Sequence, residues 1–111
     1  MIRRSHTAVV ERDVLWTGPF ASEPYEAAWA SEAVFFVRTL EPGTLGPGAA
    51  ARVQLSPDGM LWTDEGTTIP LRAEPGVTFG RVSHFGGWLR LAGELRPSDA
   101  LKVIVYLVLK E

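Results

Sequence analysis

Eleven glycines and eight prolines cut this 111-residue chain into short pieces, and that punctuation constrains the fold more than any other feature. Glycine interrupts regular structure through its conformational freedom, proline through its missing N–H. The pieces between them are rich in Val, Leu, Phe and Trp, residues that suit a pleated, half-buried surface. Thr7–Trp16 alternates, with Ala8, Val10, Val14 and Trp16 on one parity and Arg12 breaking it. Ala33–Leu40, "AVFFVRTL", reads as a strand, and the "EPGTLGPG" after it as a loop. Ala50–Ser56 and Met60–Thr63 read as a hairpin, and Thr68–Glu74 as a weaker strand ended by Pro75-Gly76. Val77–Phe85 and Trp88–Leu95 flank Gly86-Gly87, a pair suited to a tight primed turn that would join them as a hairpin. "RPSDA" reads as one short helical turn before the closing strand, "LKVIVYLVLKE".

One segment admits two readings. "SEPYEAAWA" is extended if Pro24 turns Glu23 away from helix. Tyr25–Val37 also places Ala28, Trp29, Ala33, Phe36 and Val37 at helical spacing, among good helix formers. The surrounding pattern, about eight short strands at roughly 8–12-residue spacing, decides for strands. The expectation is an all-β chain, a single antiparallel β-sandwich or jelly-roll domain spanning residues 1–111.

Composition narrows the function classes. Hydrophobic residues make up 46% and charged residues 22%, with a net charge of -2. That balance carries no electrostatic footprint for nucleic acid. The absence of cysteine excludes disulfides, thiolate metal sites and cysteine nucleophiles. The basic start, "MIRRSHTAVVERDVLW", meets Glu11, Arg12 and Asp13 before any apolar run, so no secretory signal is expected. Val103–Leu109, the longest apolar run, is far too short for a membrane-spanning helix. The expected setting is the cytoplasm or a virion.

The closing strand raises a question about its second face. Val103, Val105, Leu107 and Leu109 share one side, and Ile104, Tyr106 and Val108 the other. A two-layer sandwich buries only one face of each strand. Leaving the second wet forfeits roughly 1.5–3 kcal/mol for each large apolar group. A cover is therefore expected, either the chain's own "EPGTLGPGAA" loop or another subunit. "AVFFV", apolar on both parities, repeats the argument through Phe35 or Phe36.

Catalytic constellations are thin. A catalytic histidine needs an orienting partner and a group to activate. His84 and Ser83 are strand neighbours that point to opposite faces, and His6 lies near the terminus. Two histidines without cysteine make a poor zinc set, and the missing metal-histidine cluster argues against a jelly-roll enzyme. Asp58, Asp64 and Glu65 cluster in sequence but lack the alternating-acid spacing of a calcium loop. Neither a catalytic residue, a metal ligand nor a cofactor is expected. Trp16, Trp29, Trp62 and Trp88 are read first as core or subunit contacts.

"LSPDGMLWTDEG" is the most sharply written stretch. Pro57 presets the backbone for a turn, Asp58 suits its third position, and Gly59 supplies the positive φ that ends a type I turn with a bulge. With a three-residue loop Trp62 shares a side with Gln54; with a two-residue loop it joins Val53 and Leu55 on the core side. The glycine favours the first. "VQLSPDGMLWTDEG" resembles the S-x-D-G-x-x-W hairpin of small bacterial and phage β-sandwich modules, including structural modules of virions, through Ser56, Asp58, Gly59 and Trp62. It is also similar to a hairpin of discoidin-like carbohydrate-binding domains. The resemblance implies a small accessory sandwich and nothing about catalysis.

The expected function is thus non-enzymatic assembly, as a symmetric homo-oligomer or a subunit decorating a larger phage-like particle. A trimer is the order to test first. The interface residues are Phe35, Phe36, Ile104, Tyr106 and Val108. The rival is a carbohydrate-binding module that uses Trp62 with Asp58, Asp64 and Glu65. Neither reading involves nucleic acid or a membrane.

Overall fold

In a computed structural model describing residues 4–111, the segments between turns become nine strands, with no helix among the described residues. They are β1 (Ser5–Trp16), β2 (Pro19–Ala21), β3 (Tyr25–Glu26), β4 (Glu32–Thr39), β5 (Ala50–Ser56), β6 (Thr63–Pro70), β7 (Gly76–Ser83), β8 (Trp88–Glu94) and β9 (Leu101–Lys110). The segment that also fits a helical period thus contains β3 and most of β4. The start of the chain, residues 1–3, lies outside the described residues.

The strands form two antiparallel sheets, ordered β1-β9-β4-β7 and β2-β8-β5-β6, with β3 pairing to β8. The pairs β5–β6, β4–β7, β2–β8 and β1–β9 follow one another outward from the β5–β6 turn. They make one long antiparallel ribbon, and its arms roll over so that β9 meets β4 and β8 meets β5. This is the winding of a jelly roll, a double sheet that leaves few edges. The "LSPDGMLWTDEG" stretch sits at the tip of that ribbon.

Alternation supplies the core. Val103, Val105, Leu107 and Leu109 of β9 are wholly buried, as are Val53 of β5 and Leu89 and Leu91 of β8. Phe35 and Val37 of β4, Ile69 of β6 and Trp16 of β1 complete the layer between the sheets. Trp16 stacks on Phe20, ring centroids 4.0 Å apart. The break at Arg12 has a structural cause. β1 carries two register shifts against β9, between Val9 and Glu11 and between Glu11 and Val14, and Asp13 adopts φ 57 at the second. Two extra residues restore the parity, so Ala8, Val14 and Trp16 all pair with inward residues of β9.

Three local expectations are corrected. Gly86-Gly87 does not close a hairpin, because β7 and β8 belong to different sheets. The connection arches across the sandwich edge instead, with His84 at φ 56 and Gly87 at φ 73, and the Gly87 carbonyl accepts the Ala27 N–H at 2.7 Å. Met60–Thr63 and Thr68–Glu74 are not two strands; one strand, β6, runs from Thr63 to Pro70 and takes in the end of the first and the start of the second. "RPSDA" is a plain turn, closed by the Asp99 N–H donating to the Arg96 carbonyl at 2.9 Å.

The loop after β4 does not cover the second face of β9. Thr44 pairs with Ala100, the Gly43 N–H donates to the Ala73 carbonyl at 2.9 Å, and Leu45 packs on the core. Buried Asp99 accepts the N–H groups of Gly46 and Arg96 and the Arg96 guanidinium. The loop thus closes one end of the sandwich.

Candidate functional site

Both outer faces of the sandwich carry features beyond what folding requires, and their chemistry is opposite. On the β1-β9-β4-β7 sheet, antiparallel register aligns Val9, Tyr106, Phe36 and Phe79 in one row across all four strands. Partners across a ladder point to the same side, so the row is a continuous apolar band. The Phe36 and Phe79 rings meet with centroids 5.9 Å apart. Ile104, Val108, Val34 and Val77 extend the band on either side by the same register.

Phe79 is 48% exposed and Val77 51%. The first half of β7 is inverted relative to an ordinary sandwich strand, since it turns Val77 and Phe79 outward while Thr78 and Gly80 face the core beside Val37 and Phe35. Its second half alternates normally, with Val82 buried. The buried Thr78 hydroxyl has no hydrogen-bond partner, a cost that an apolar inward residue would have avoided. Exposing large apolar groups in this way forfeits roughly 1.5–3 kcal/mol for each that a partner could bury. Arg38, Arg81, Lys102 and Lys110 stand around the band, with Glu32 opposite Lys110 in the register and Asp13 of β1 paired to Lys102 at 3.4 Å. Near one end Glu32, Val34, Arg81, Val108 and Lys110 line a shallow depression of about 340 Å³.

Of the residues expected at an interface, Ile104, Tyr106, Val108 and Phe36 lie half-exposed on this face. Phe35 does not. It is 1% exposed and points between the sheets, because only one residue of an adjacent strand pair can face outward. The sequence reading missed Val9, Val34, Val77 and Phe79. The inverted alternation of "GVTFG", bulky where a strand is normally wet, is the signal that would have found Val77 and Phe79.

The other sheet presents a polar network. The Gln54 amide donates to Asp64 at 2.9 Å, and Arg90 donates to the Gln54 carbonyl at 2.8 Å. Arg52 bridges Asp64, at 3.3 Å, and Glu94. Asp64 is held below its ordinary pKa, first by the Gln54 amide and then by Arg52. Trp62 lies on this side, half-buried, with the Arg90 guanidinium 4.3 Å from its ring centroid. The indole shares a side with Gln54 as the sequence reading favoured, but by a different route. Pairing closes at Leu55–Thr63, so the loop is longer than either turn considered.

That loop is braced by two side chains. The Ser56 Oγ accepts the N–H groups of Asp58 and Gly59, at 3.2 and 2.8 Å. The Asp58 Oδ1 accepts those of Met60 and Leu61, at 2.8 and 3.0 Å, and the Ser56 hydroxyl at 3.0 Å. Gly59 adopts φ 81, and a β-carbon there would lie 3.3 Å from the Trp88 ring. The result is a tip that holds Met60 and Leu61 out in solvent, 77% and 72% exposed. The carboxylates proposed for sugar binding are thus already engaged: Asp58 in the turn, Asp64 with Gln54 and Arg52, and Glu65 accepting the Thr67 N–H at 3.0 Å.

The histidines form no catalytic pair. His6 is exposed and stacks with Tyr25 at 6.3 Å, and His84 is exposed in the β7–β8 arch. Among the described residues no three His, Asp or Glu groups converge as a metal site, and no helix is long and apolar enough to cross a membrane.

No protein-family model matches the chain, and no curated protein matches it. Among solved structures, it is similar to the SPBc2 prophage-derived protein YomS, with a TM-score of 0.66, 9% identity, and coverage of 100% of this chain and 96% of that one. A structure of FLHE aligns over 97% of this chain and 93% of its own, at 17% identity and a TM-score of 0.38. The first likeness establishes a shared fold.

Proposed function

We propose that this protein is a non-enzymatic assembly protein, a homo-oligomer whose copies meet through the outer face of the β1-β9-β4-β7 sheet, and that it serves as a subunit of a larger phage-like particle. The observation that carries the reading is the four-strand apolar band, together with the inversion of the first half of β7 that adds Val77 and Phe79 to it. Contiguous exposed apolar surface on a small domain marks an interaction site, and the chain's own loop is committed to the end of the sandwich. The prophage origin of a protein with this fold accords with the particle role. A trimer remains the first order to test. Light scattering at micromolar concentration is expected to give a multiple of the 12.2 kDa chain mass; a monomer would overturn the reading.

A second reading rests on Trp62, which stands on a polar face among Arg90, Gln54, Arg52 and Asp64. This is the mixture of flat apolar and hydrogen-bonding groups that a carbohydrate site uses. Arg90 already occupies one side of the indole, and the acids have partners, so the observations favour assembly. Titrating a glycan panel against tryptophan fluorescence decides the matter: saturable quenching that Trp62→Phe abolishes would establish this reading in place of the first.

A further inference from the structure

The apolar band has a counterpart on the same molecule. The Ser56–Gly66 stretch projects Met60 and Leu61 into solvent from a turn that Ser56 and Asp58 hold in place. It carries Asp58, Asp64 and Glu65. Arg52 pairs with Asp64 and Arg90 covers Trp62, which leaves Asp58 and Glu65 as its acids without an ion-pair partner among the described residues. The band has an apolar centre with Arg38, Arg81, Lys102 and Lys110 around it, of which Lys102 is paired with Asp13 at 3.4 Å and Lys110 stands opposite Glu32 in the register. Among the described residues Arg38, Arg81 and Lys110 have no carboxylate within salt-bridge distance. In a chain with a net charge of -2, the cations left without an ion-pair partner at the apolar face thus outnumber its one unpaired acid, Glu32, while the unpaired charges at the apolar tip are acids. Such complementarity fixes partner and register.

Resting on the assembly reading above, we infer that the partner received by the band is the Met60–Leu61 tip of a second copy, so that subunits join head to tail. Such a contact is heterologous. It uses two different patches on each subunit and closes into a ring if the rotation allows. A symmetric face-to-face dimer would instead bring the cationic surrounds of two bands together, and the tip would stay in water.

Complementation tests the inference. Met60→Ser/Leu61→Ser removes the tip without touching the core, and Phe79→Asp spoils the band at an exposed edge-strand position. Circular dichroism and thermal melting are used to confirm that both variants are folded. Each alone is expected to give the mass of a single chain by light scattering. Mixed in equal amounts, they are expected to give twice that mass, because one still has its band and the other its tip. If the wild type is oligomeric and the tip variant stays so, with no new species on mixing, the head-to-tail inference is overturned while the assembly reading stands. A monomeric wild type overturns both.

Discussion

Single residues in the hairpin tip do two jobs that sequence alone shows only in part. Gly59 was legible as the positive-φ position of a turn, and it is one, at φ 81. Its second role, seating the loop against Trp88, depends on a residue of another strand. Gly87 is similar. Its φ of 73 disfavours a side chain, and a β-carbon there would collide with the Ser56 carbonyl oxygen. Gly87→Ala is therefore expected to cost at least about 1–2 kcal/mol, measurable by urea unfolding. Asp58 makes a pH-dependent contribution. The amides of Leu61 and then Met60, followed by the Ser56 hydroxyl, hold its carboxyl below the ordinary range. Because its folded pKa is the lower one, its stabilisation is complete above the unfolded value of about 3.9 and disappears as pH falls through the folded value. Asp58→Asn is expected to flatten that part of an acid unfolding curve followed by tryptophan fluorescence, and an unchanged curve would count against the bracing.

At the scale of elements, β4 and β9 show how closely parity predicts placement once a register is known. "LKVIVYLVLKE" divides into inner and outer sets as read, since ten consecutive residues alternate without a bulge. "AVFFV" divides equally sharply, yet the sequence left Phe35 and Phe36 interchangeable because nothing local says which parity meets the core. The structure gives them different roles. Phe35→Ala is expected to destabilise the fold by about 3–5 kcal/mol. Phe36→Ala should cost the fold much less and weaken self-association instead. Denaturant midpoint and sedimentation, measured on both variants, separate the two effects. β7 and β8 show where local reading fails. A Gly-Gly pair satisfies a tight hairpin and a sheet-to-sheet arch equally well, and the choice between them is made by distant partners, β4 for one strand and β5 for the other.

For the molecule as a whole, the ribbon winding reconciles these pieces. The two-sheet class was legible from punctuation and alternation, because a chain of such short strands can bury its apolar sides in few other ways. The strand order was not, since every one of the pairs β4–β7, β2–β8 and β1–β9 is separated by long stretches of chain. The same nonlocality hid the interface candidates on β1 and β7, which become one band with Tyr106 and Phe36 only after rolling. Rolling also leaves the two outer faces with different chemistry, polar around Trp62 and apolar around Tyr106. The central claim is that the second of these is a subunit contact. Light scattering on the wild type and Tyr106→Asp, at matched micromolar concentration, tests it most directly. The expected result is a multiple of 12.2 kDa for the wild type and a folded single chain, or insoluble protein, for the variant. A wild type that scatters as a clean monomer would contradict it.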